Sequence, residues 1–285
     1  MYQTKEGRSL TAEAINDYSV ALQEDEKSVR TIQKYIHDLN MAAEYFEGAE
    51  LTKATLIEWK NMLVERYAAA TVNTVLAAIN GFLKFMGWND LTIKPLKIQQ
   101  SLFSVEEQEL TYVEYKQLVH AAENACNRRL SLVIQTICAT GIRVSELQFI
   151  TVEAVRTGRT EIANKGKRRT IFLPEKLRRI LNKYIKEIGI KNGVVFTTRT
   201  GKPLDRSNIW REMKALCERA GVDPRKVFPH NLRHLFARTY YSIEKDLSRL
   251  ADILGHSNIN TTRIYTMESG AVHACQIERL GLTIT

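Results

Sequence analysis

Apolar residues recur at helical spacing through the first hundred residues of the chain. After Ser28, a residue suited to an N-cap, apolar side chains return every three or four positions up to Phe46. Thr52 and Thr71 are placed to cap two further helices with apolar faces, and an earlier helix is expected over residues 11–23. Because four amphipathic helices are enough for a small bundle, we predict a helical N-terminal domain.

The helical pattern is interrupted between residues 89 and 110. Pro95 and the polar run at residues 106–109 are typical of an extended linker. Thr111 and Glu114 then have the spacing of a capping box, which predicts the start of a second domain. The predicted boundaries are a helical domain over residues 1–92, a linker over residues 93–110 and a second domain over residues 111–285.

The second domain has a mixed pattern. Helices are expected near residues 112–125 and 128–140, after Gly141, and through most of the chain beyond Glu175, including residues 206–220. Between them, residues 159–163 and 169–173 change to strand periodicity around a basic turn, which predicts a β-hairpin. The expected fold class is therefore mainly α with a small β-sheet (α+β).

Composition narrows the class of protein. With 285 residues, 44% of them hydrophobic and 26% charged, the chain resembles an ordinary globular protein. We find no apolar run long enough to span a bilayer and no secretion signal, so a cytoplasmic protein without a membrane partner is expected. The four cysteines lie far apart and form no CxxC pair, which favours reduced thiols over a zinc site or disulfides.

Charge is distributed unevenly along the chain. Residues 1–100 contain 11 Lys and Arg against 13 Asp and Glu, whereas residues 101–285 contain 30 against 19. A basic second domain favours a polyanionic partner, most simply nucleic acid, although a solvated basic surface has the same composition.

The same basic region contains the residue types that phosphodiester cleavage requires. An arginine fork can neutralise the non-bridging oxygens, a tyrosine can serve as a covalent nucleophile, and a lysine can protonate the departing oxygen. Taken singly, each such residue has an ordinary structural explanation, since most tyrosines are packed rings and most lysines are solvated.

As an ordered set, these residues identify a family. The strings at residues 139–147, 230–234 and 254–256 resemble the first, second and third boxes of the tyrosine recombinases, the phage-integrase and Xer-like family. Six positions match that family's catalytic set in order and approximate spacing: Arg143, Lys165, His230, Arg233, His256 and Tyr265. One departure is the stretch 240–246, which lacks the glycine that many relatives carry there.

The resemblance implies a role for each position. Arg143 and Arg233 would clamp the scissile phosphate, and His230 and His256 would add hydrogen bonds, with His230 the better candidate for accepting the proton of the nucleophile. His234 is expected to buttress its helix rather than to touch phosphate.

The nucleophile implied by the resemblance is Tyr265, which would form a 3′-phosphotyrosyl link. Lys165 would protonate the 5′ oxygen. Lys167 lies on the same side of the turn, and only the resemblance favours Lys165. No cofactor and no metal are expected.

The resemblance also implies a partner and an assembly. The partner would be double-stranded DNA with specific recombination sites, bound by a homotetramer on paired sites that is a monomer free in solution. The apolar C-terminal tail would dock on a neighbouring subunit or fold back on its own domain. Two other functions remain open: a catalytically inactive DNA-binding relative of the same fold, and a type IB-like topoisomerase.

Overall fold

A computed structural model of the protein describes residues 7–98, 109–164, 167–198, 200–256, 258–266 and 278–280. Its contacts divide the chain into two compact units, residues 1–100 and 101–285. The described residues are mainly helical with one antiparallel pair of strands, which confirms the predicted α+β class. None of the described helices is both long and apolar enough to cross a bilayer.

The first unit is a bundle of amphipathic helices, whose bounds are α1 (Ala12–Glu24), α2 (Val29–Phe46), α3 (Lys53–Arg66) and α4 (Ala69–Phe85). Ser28 and Thr52 cap α2 and α3 as predicted, each accepting a hydrogen bond from a backbone N–H in the first turn. The prediction for Thr71 is wrong. Ala69 and Ala70 are strong helix formers, so α4 begins before Thr71, which lies inside the first turn.

The segment after α4 packs on the core of the first unit. Asn80 brackets Ile93, donating to its carbonyl oxygen at 2.7 Å and accepting from its N–H at 2.7 Å. Asn73 brackets Leu96 in the same way, at 2.9 and 2.7 Å. The start of the predicted linker is therefore held on the first unit by two side-chain amides, which satisfy backbone N–H and carbonyl groups that have no partner in a helix or sheet.

The second unit is built around helix α6 (Arg128–Thr140), most of whose residues are buried. Its helices are α5 (Tyr112–Asn124), α6 (Arg128–Thr140), α7 (Val152–Thr157), α8 (Glu175–Ile188), α9 (Arg206–Ala220), α10 (Pro229–Glu244), α11 (Leu247–Leu254) and α12 (Asn260–Arg263). The predicted capping box of α5 is present, with the Thr111 N–H 2.8 Å from Oε2 of Glu114. The helix expected after Gly141 is a 3₁₀ helix, Val144–Phe149.

The predicted hairpin is confirmed. Strands β1 (Arg159–Asn164) and β2 (Lys167–Phe172) pair antiparallel, with Arg159 opposite Phe172 and Asn164 opposite Lys167. Ile162 and Ile171 are buried and define the inner face of this hairpin. Successive residues on a strand point to opposite faces, so Arg169 shares the inner face with Ile171.

Helix α10 ends on an unusual residue for its position. Lys245 adopts φ 54° and ψ 14°, the left-handed conformation that glycine adopts without steric cost. It lies in the stretch 240–246, where the sequence lacks the glycine that many members of the resembled family carry.

We expect Lys245→Gly to raise the free energy of unfolding by about 0.5–1 kcal/mol, because it removes the clash of Cβ with the backbone. Urea unfolding measures it. Lys245→Ala is the control, since alanine loses the same contact with Tyr241 but keeps Cβ. Equal stability of the glycine and alanine variants would contradict the prediction.

Candidate active site

The end of helix α6 fixes the position of Arg143. Gly141 ends the helix at φ +66°, and an added Cβ there would collide with the Phe236 ring, so both conformation and space require glycine. Arg143 follows and is held by Glu146, whose carboxylate accepts from the Arg143 N–H at 2.7 Å and from Nη1 at 3.1 Å. Glu146 is only 3% exposed, whereas the arginine side chain reaches solvent.

Arg233 joins three parts of the pocket. Its side chain extends from α10 and is 1% exposed. Nη1 donates to the carbonyl oxygen of Gly141 at 2.5 Å, and Nη2 donates to that of Leu254 at 2.7 Å. Nη2 also lies 3.0 Å from Nε2 of His256. The guanidinium is thus oriented by the ends of α6 and α11 before any ligand binds.

The contacts of His256 define its tautomer. A guanidinium has no acceptor, so the Nε2 atom that faces Arg233 must be unprotonated. The other nitrogen, Nδ1, then carries the proton and donates to Oγ1 of Thr262 at 2.9 Å. Burial, followed by the charges of Arg233 and Arg143, lowers the pKa of His256 to about 4, so the imidazole is neutral at pH 7.

Tyr265 lies inside this pocket. It follows α12 in a short 3₁₀ turn, is 4% exposed, and packs with Ala237, Leu250 and Leu254. Its ring stacks on His256 with centroids 6.1 Å apart. Burial raises the pKa of the phenol, while the adjacent Arg233 opposes that shift by stabilising the phenolate.

His230 and His234 lie one turn apart on α10. The ring of His234 is in edge contact with both neighbours, 4.5 Å from the His230 centroid and 4.9 Å from that of Tyr265. Burial and the His230 charge lower the pKa of His234 to about 4, and burial with Arg233 also lowers the pKa of His230. His234 therefore packs against the Tyr265 ring. This contact is additional to the support of its own helix that was expected from the sequence.

The structure brings together five of the six residues predicted from sequence: Arg143, His230, Arg233, His256 and Tyr265. The sixth, Lys165, lies outside the described residues, as does the side chain of Lys167, so the choice between them stays a prediction. In the C-terminal tail, Leu280 is exposed, and Val272, Ile277, Leu282 and Ile284 lie outside the described residues.

Sequence reasoning missed Glu146 and Arg169. Arg169 donates to the Glu146 carboxylate at 2.5 Å and adds a third arginine beside the pocket. Three arginines therefore share one carboxylate, and burial together with the charges of Arg143 and Arg169 lowers the pKa of Arg233 to about 10. The spacing of Glu146, three positions after Arg143, is a local signal for their contact, whereas the contact of Arg169 with Glu146 depends on the fold.

The depressed histidine pKa values predict a pH dependence of stability. In the unfolded chain these imidazoles take up protons near pH 6.5, but in the folded protein His234 and His256 do so only near pH 4. The stabilisation is therefore fully present above pH 6.5 and is lost as the pH falls towards 4. We expect the free energy of unfolding, measured in urea, to decline over this range.

Two variants test that assignment. His234→Asn should flatten the decline between pH 6.5 and 5, because one buried imidazole is removed. His120→Gln is the control, since the His120 side chain is 71% exposed, and it should leave the slope unchanged. A slope that is the same in all three proteins would contradict the prediction.

Comparison with known proteins identifies the family. The model of the Phage integrase family matches residues 108–270, and that of the phage integrase N-terminal SAM-like domain matches residues 15–89. The chain belongs to the phage integrase family. The family and the enzyme class predicted from the sequence, a tyrosine-type recombinase, are confirmed.

Curated relatives align along nearly the whole chain. Tyrosine recombinase XerA of Pyrococcus furiosus is 27% identical over 285 residues, which cover 96% of each protein. Tyrosine recombinase XerD of Xanthomonas campestris is 29% identical over 268 residues, covering 84% of this chain and 82% of the relative.

Solved structures share the fold. A lambda integrase tetramer bound to a Holliday junction has a TM-score of 0.74 at 17% identity, covering 92% of this chain and 78% of that one. The XerH recombinase bound to its difH substrate has a TM-score of 0.66 at 22% identity, covering 82% and 76%.

Proposed function

We propose that this protein breaks and rejoins DNA strands at specific sites through a covalent link to Tyr265. The observation that carries the proposal is the buried phenol, which is stacked on a neutral histidine beside Arg233 and within the field of Arg143. A tyrosine used only for packing needs one hydrogen-bond partner for its hydroxyl, not the charge of two guanidinium groups. A tyrosine that attacks a phosphodiester needs them, because they neutralise the charge that repels its oxygen.

In the first step, the Tyr265 oxygen attacks phosphorus while the bond between phosphorus and the 5′ oxygen breaks. His230 accepts the phenol proton, which its depressed pKa permits because the imidazole is neutral at pH 7. Lys165 donates a proton to the departing 5′ oxygen. The products are a 3′-phosphotyrosyl link and a free 5′-hydroxyl on the other strand end.

Charge on the pentacoordinate phosphorus is stabilised by Arg143, Arg233 and His256. Two backbone carbonyls hold Arg233 in place, so its guanidinium needs no reorganisation when the phosphate enters. For His256 to donate to the phosphate, its Nε2 must gain a proton, and a bound anion favours that gain by offsetting the arginine charges.

Strand exchange follows by reversal of the same chemistry. A 5′-hydroxyl from a partner duplex attacks the phosphotyrosyl phosphorus and displaces the Tyr265 oxygen. The covalent intermediate conserves the energy of the phosphodiester bond, so this route uses neither ATP nor a divalent metal ion.

Duplex DNA is bound by both parts of the chain, the helical domain of residues 1–92 and the catalytic domain of residues 111–285, connected by residues 93–110. Helix α9 presents Arg206, Trp210 and Arg211 to solvent, and the Arg206 charge reaches the His230 imidazole. This helix therefore contacts DNA beside the scissile phosphate, and its arginines pair with backbone phosphates.

Recombination between two duplexes requires four cleavages, and each chain holds its own tyrosine beside its own arginines. We therefore propose a homotetramer on two paired sites, formed in the cytoplasm from free monomers. In one crystal structure, lambda integrase is a tetramer bound to a Holliday junction.

The test is to incubate the protein with fragmented host DNA, denature it, and sequence the DNA that remains covalently attached. The proposal predicts one or a few defined sites with symmetric half-sites. Attachment at many unrelated sequences would instead favour a relaxing topoisomerase, and no attachment would favour an inactive DNA-binding protein.

A further inference from the structure

The hairpin places an arginine where a strand of this kind normally carries an apolar residue. Arg169 lies opposite Ile162 and two positions before Ile171, both buried, and its own side chain is 11% exposed. The preceding residue, Arg168, points to the outer face and is exposed. Burying a guanidinium costs free energy unless it is paired, so its position calls for an explanation.

Arg169 reaches the pocket through one carboxylate. Its Nη2 donates to Oε2 of Glu146 at 2.5 Å. The same oxygen accepts from the N–H of Arg143 at 2.7 Å, and the other carboxylate oxygen accepts from Nη1 of Arg143 at 3.1 Å. Glu146 therefore lies between the two arginines, and its orientation depends on both.

A second contact connects Arg169 to the turn that precedes His256. A Cβ added to Gly255 would lie 2.6 Å from Nη1 and 2.8 Å from Cδ of Arg169, so the guanidinium lies directly against the backbone of that glycine. Gly255 also has φ +65°, which leads the chain from α11 into His256. The arginine thus contacts the elements that carry Arg143 and His256.

Stability alone does not explain this arrangement. The Nε and Nη1 atoms of Arg169 are buried without a hydrogen-bond partner among the described residues. Its charge also opposes that of Arg233, whose pKa it helps to lower. A buried ion pair can usually be replaced by apolar residues without loss of stability.

We propose that Arg169 is a positioning residue of the recombinase reaction, which docks the hairpin on Glu146 and Gly255 and thereby fixes Arg143 and His256 around the scissile phosphate. This inference rests on the proposed function.

The test compares Arg169→Met with Arg168→Met, the adjacent arginine on the outer face. Cleavage is measured in single turnover at saturating protein on a nicked suicide duplex. We expect Arg169→Met to cleave on the order of 100-fold more slowly, as for other displacements of a catalytic group, and Arg168→Met to remain within about twofold of the unaltered protein.

A second substrate separates positioning from folding. A methylphosphonate at the scissile position replaces a charged non-bridging oxygen by a methyl group, so a misplaced Arg143 matters less. The deficit of Arg169→Met relative to the unaltered protein should then shrink to about tenfold or less. A deficit of the same size on both substrates, or none on either, would overturn the inference.

A conservative variant keeps the test valid if Arg169→Met does not fold. Arg169→Lys keeps a positive charge for Glu146 but loses the planar guanidinium that lies against Gly255, and it is expected to retain its melting temperature. This variant should also cleave the phosphodiester more slowly than the unaltered protein, and its deficit should again be smaller on the methylphosphonate substrate. Cleavage at the unaltered rate would contradict the inference. Failure of the unaltered protein to cleave would overturn the proposed function and this inference with it.

Discussion

We expect Tyr265→Phe to abolish covalent attachment to DNA and to leave DNA binding intact. The substitution removes one oxygen atom, and the ring keeps its packing against Leu250, Leu254 and the two histidine rings. Without the phenol there is no nucleophile, so we expect cleavage in a suicide-substrate assay to fall by roughly 10⁴-fold or more, as for other catalytic nucleophiles. Gel-shift titration should give an unchanged affinity.

Tyr240→Phe is the matched control for that result. Tyr240 packs against the same small cluster, so the chemical change and its surroundings are similar. Its cleavage rate should equal that of the unaltered protein. Adducts formed by Tyr265→Phe, or their loss in Tyr240→Phe, would show that the nucleophile is misassigned.

Lys165→Ala is expected to slow cleavage by about 10²–10⁴-fold, the usual contribution of a general acid. The deficit should disappear on a duplex whose 5′ bridging oxygen at the scissile position is replaced by sulfur. A thiolate leaves without protonation, so the substrate no longer needs the lysine.

Lys167→Ala decides between the two candidate lysines. The assignment of Lys165 predicts that Lys167→Ala cleaves both substrates at the unaltered rate. If instead Lys167→Ala is slow and the bridging sulfur restores it, the proton donor is Lys167. If neither variant responds to sulfur, the leaving oxygen takes its proton from another group.

Local sequence signals predicted most of the elements correctly. Ser28, Thr52 and Thr111 act through hydrogen bonds within four residues, so their effect can be read directly from the chain. The wrong prediction for Thr71 also has a local cause, because Ala69 and Ala70 favour a helix start two residues earlier. The left-handed Lys245 was not predictable, because a helix that ends in this conformation usually does so on glycine, and no glycine marks the end of α10.

The site was predictable in its residue types but not in its geometry. The order of arginine, histidine and tyrosine along the chain identified residues that meet in the fold. The contacts that hold these side chains could not be predicted from the sequence. Arg233, for example, donates to the backbone carbonyls of Gly141 and Leu254, which any residue type would provide. Arg169 and Glu146 are 23 residues apart, and only the pairing of the hairpin with the pocket brings them together.

The most direct measurement is the chemical identity of the protein–DNA bond. The unaltered protein, trapped on a nicked duplex of its recovered site, is digested with protease and the DNA-linked peptide is analysed by mass spectrometry. The account predicts one peptide joined through the oxygen of Tyr265 to a 3′-phosphate, with a free 5′-hydroxyl on the other fragment. A bond to a different residue, or to a 5′-phosphate, would contradict it.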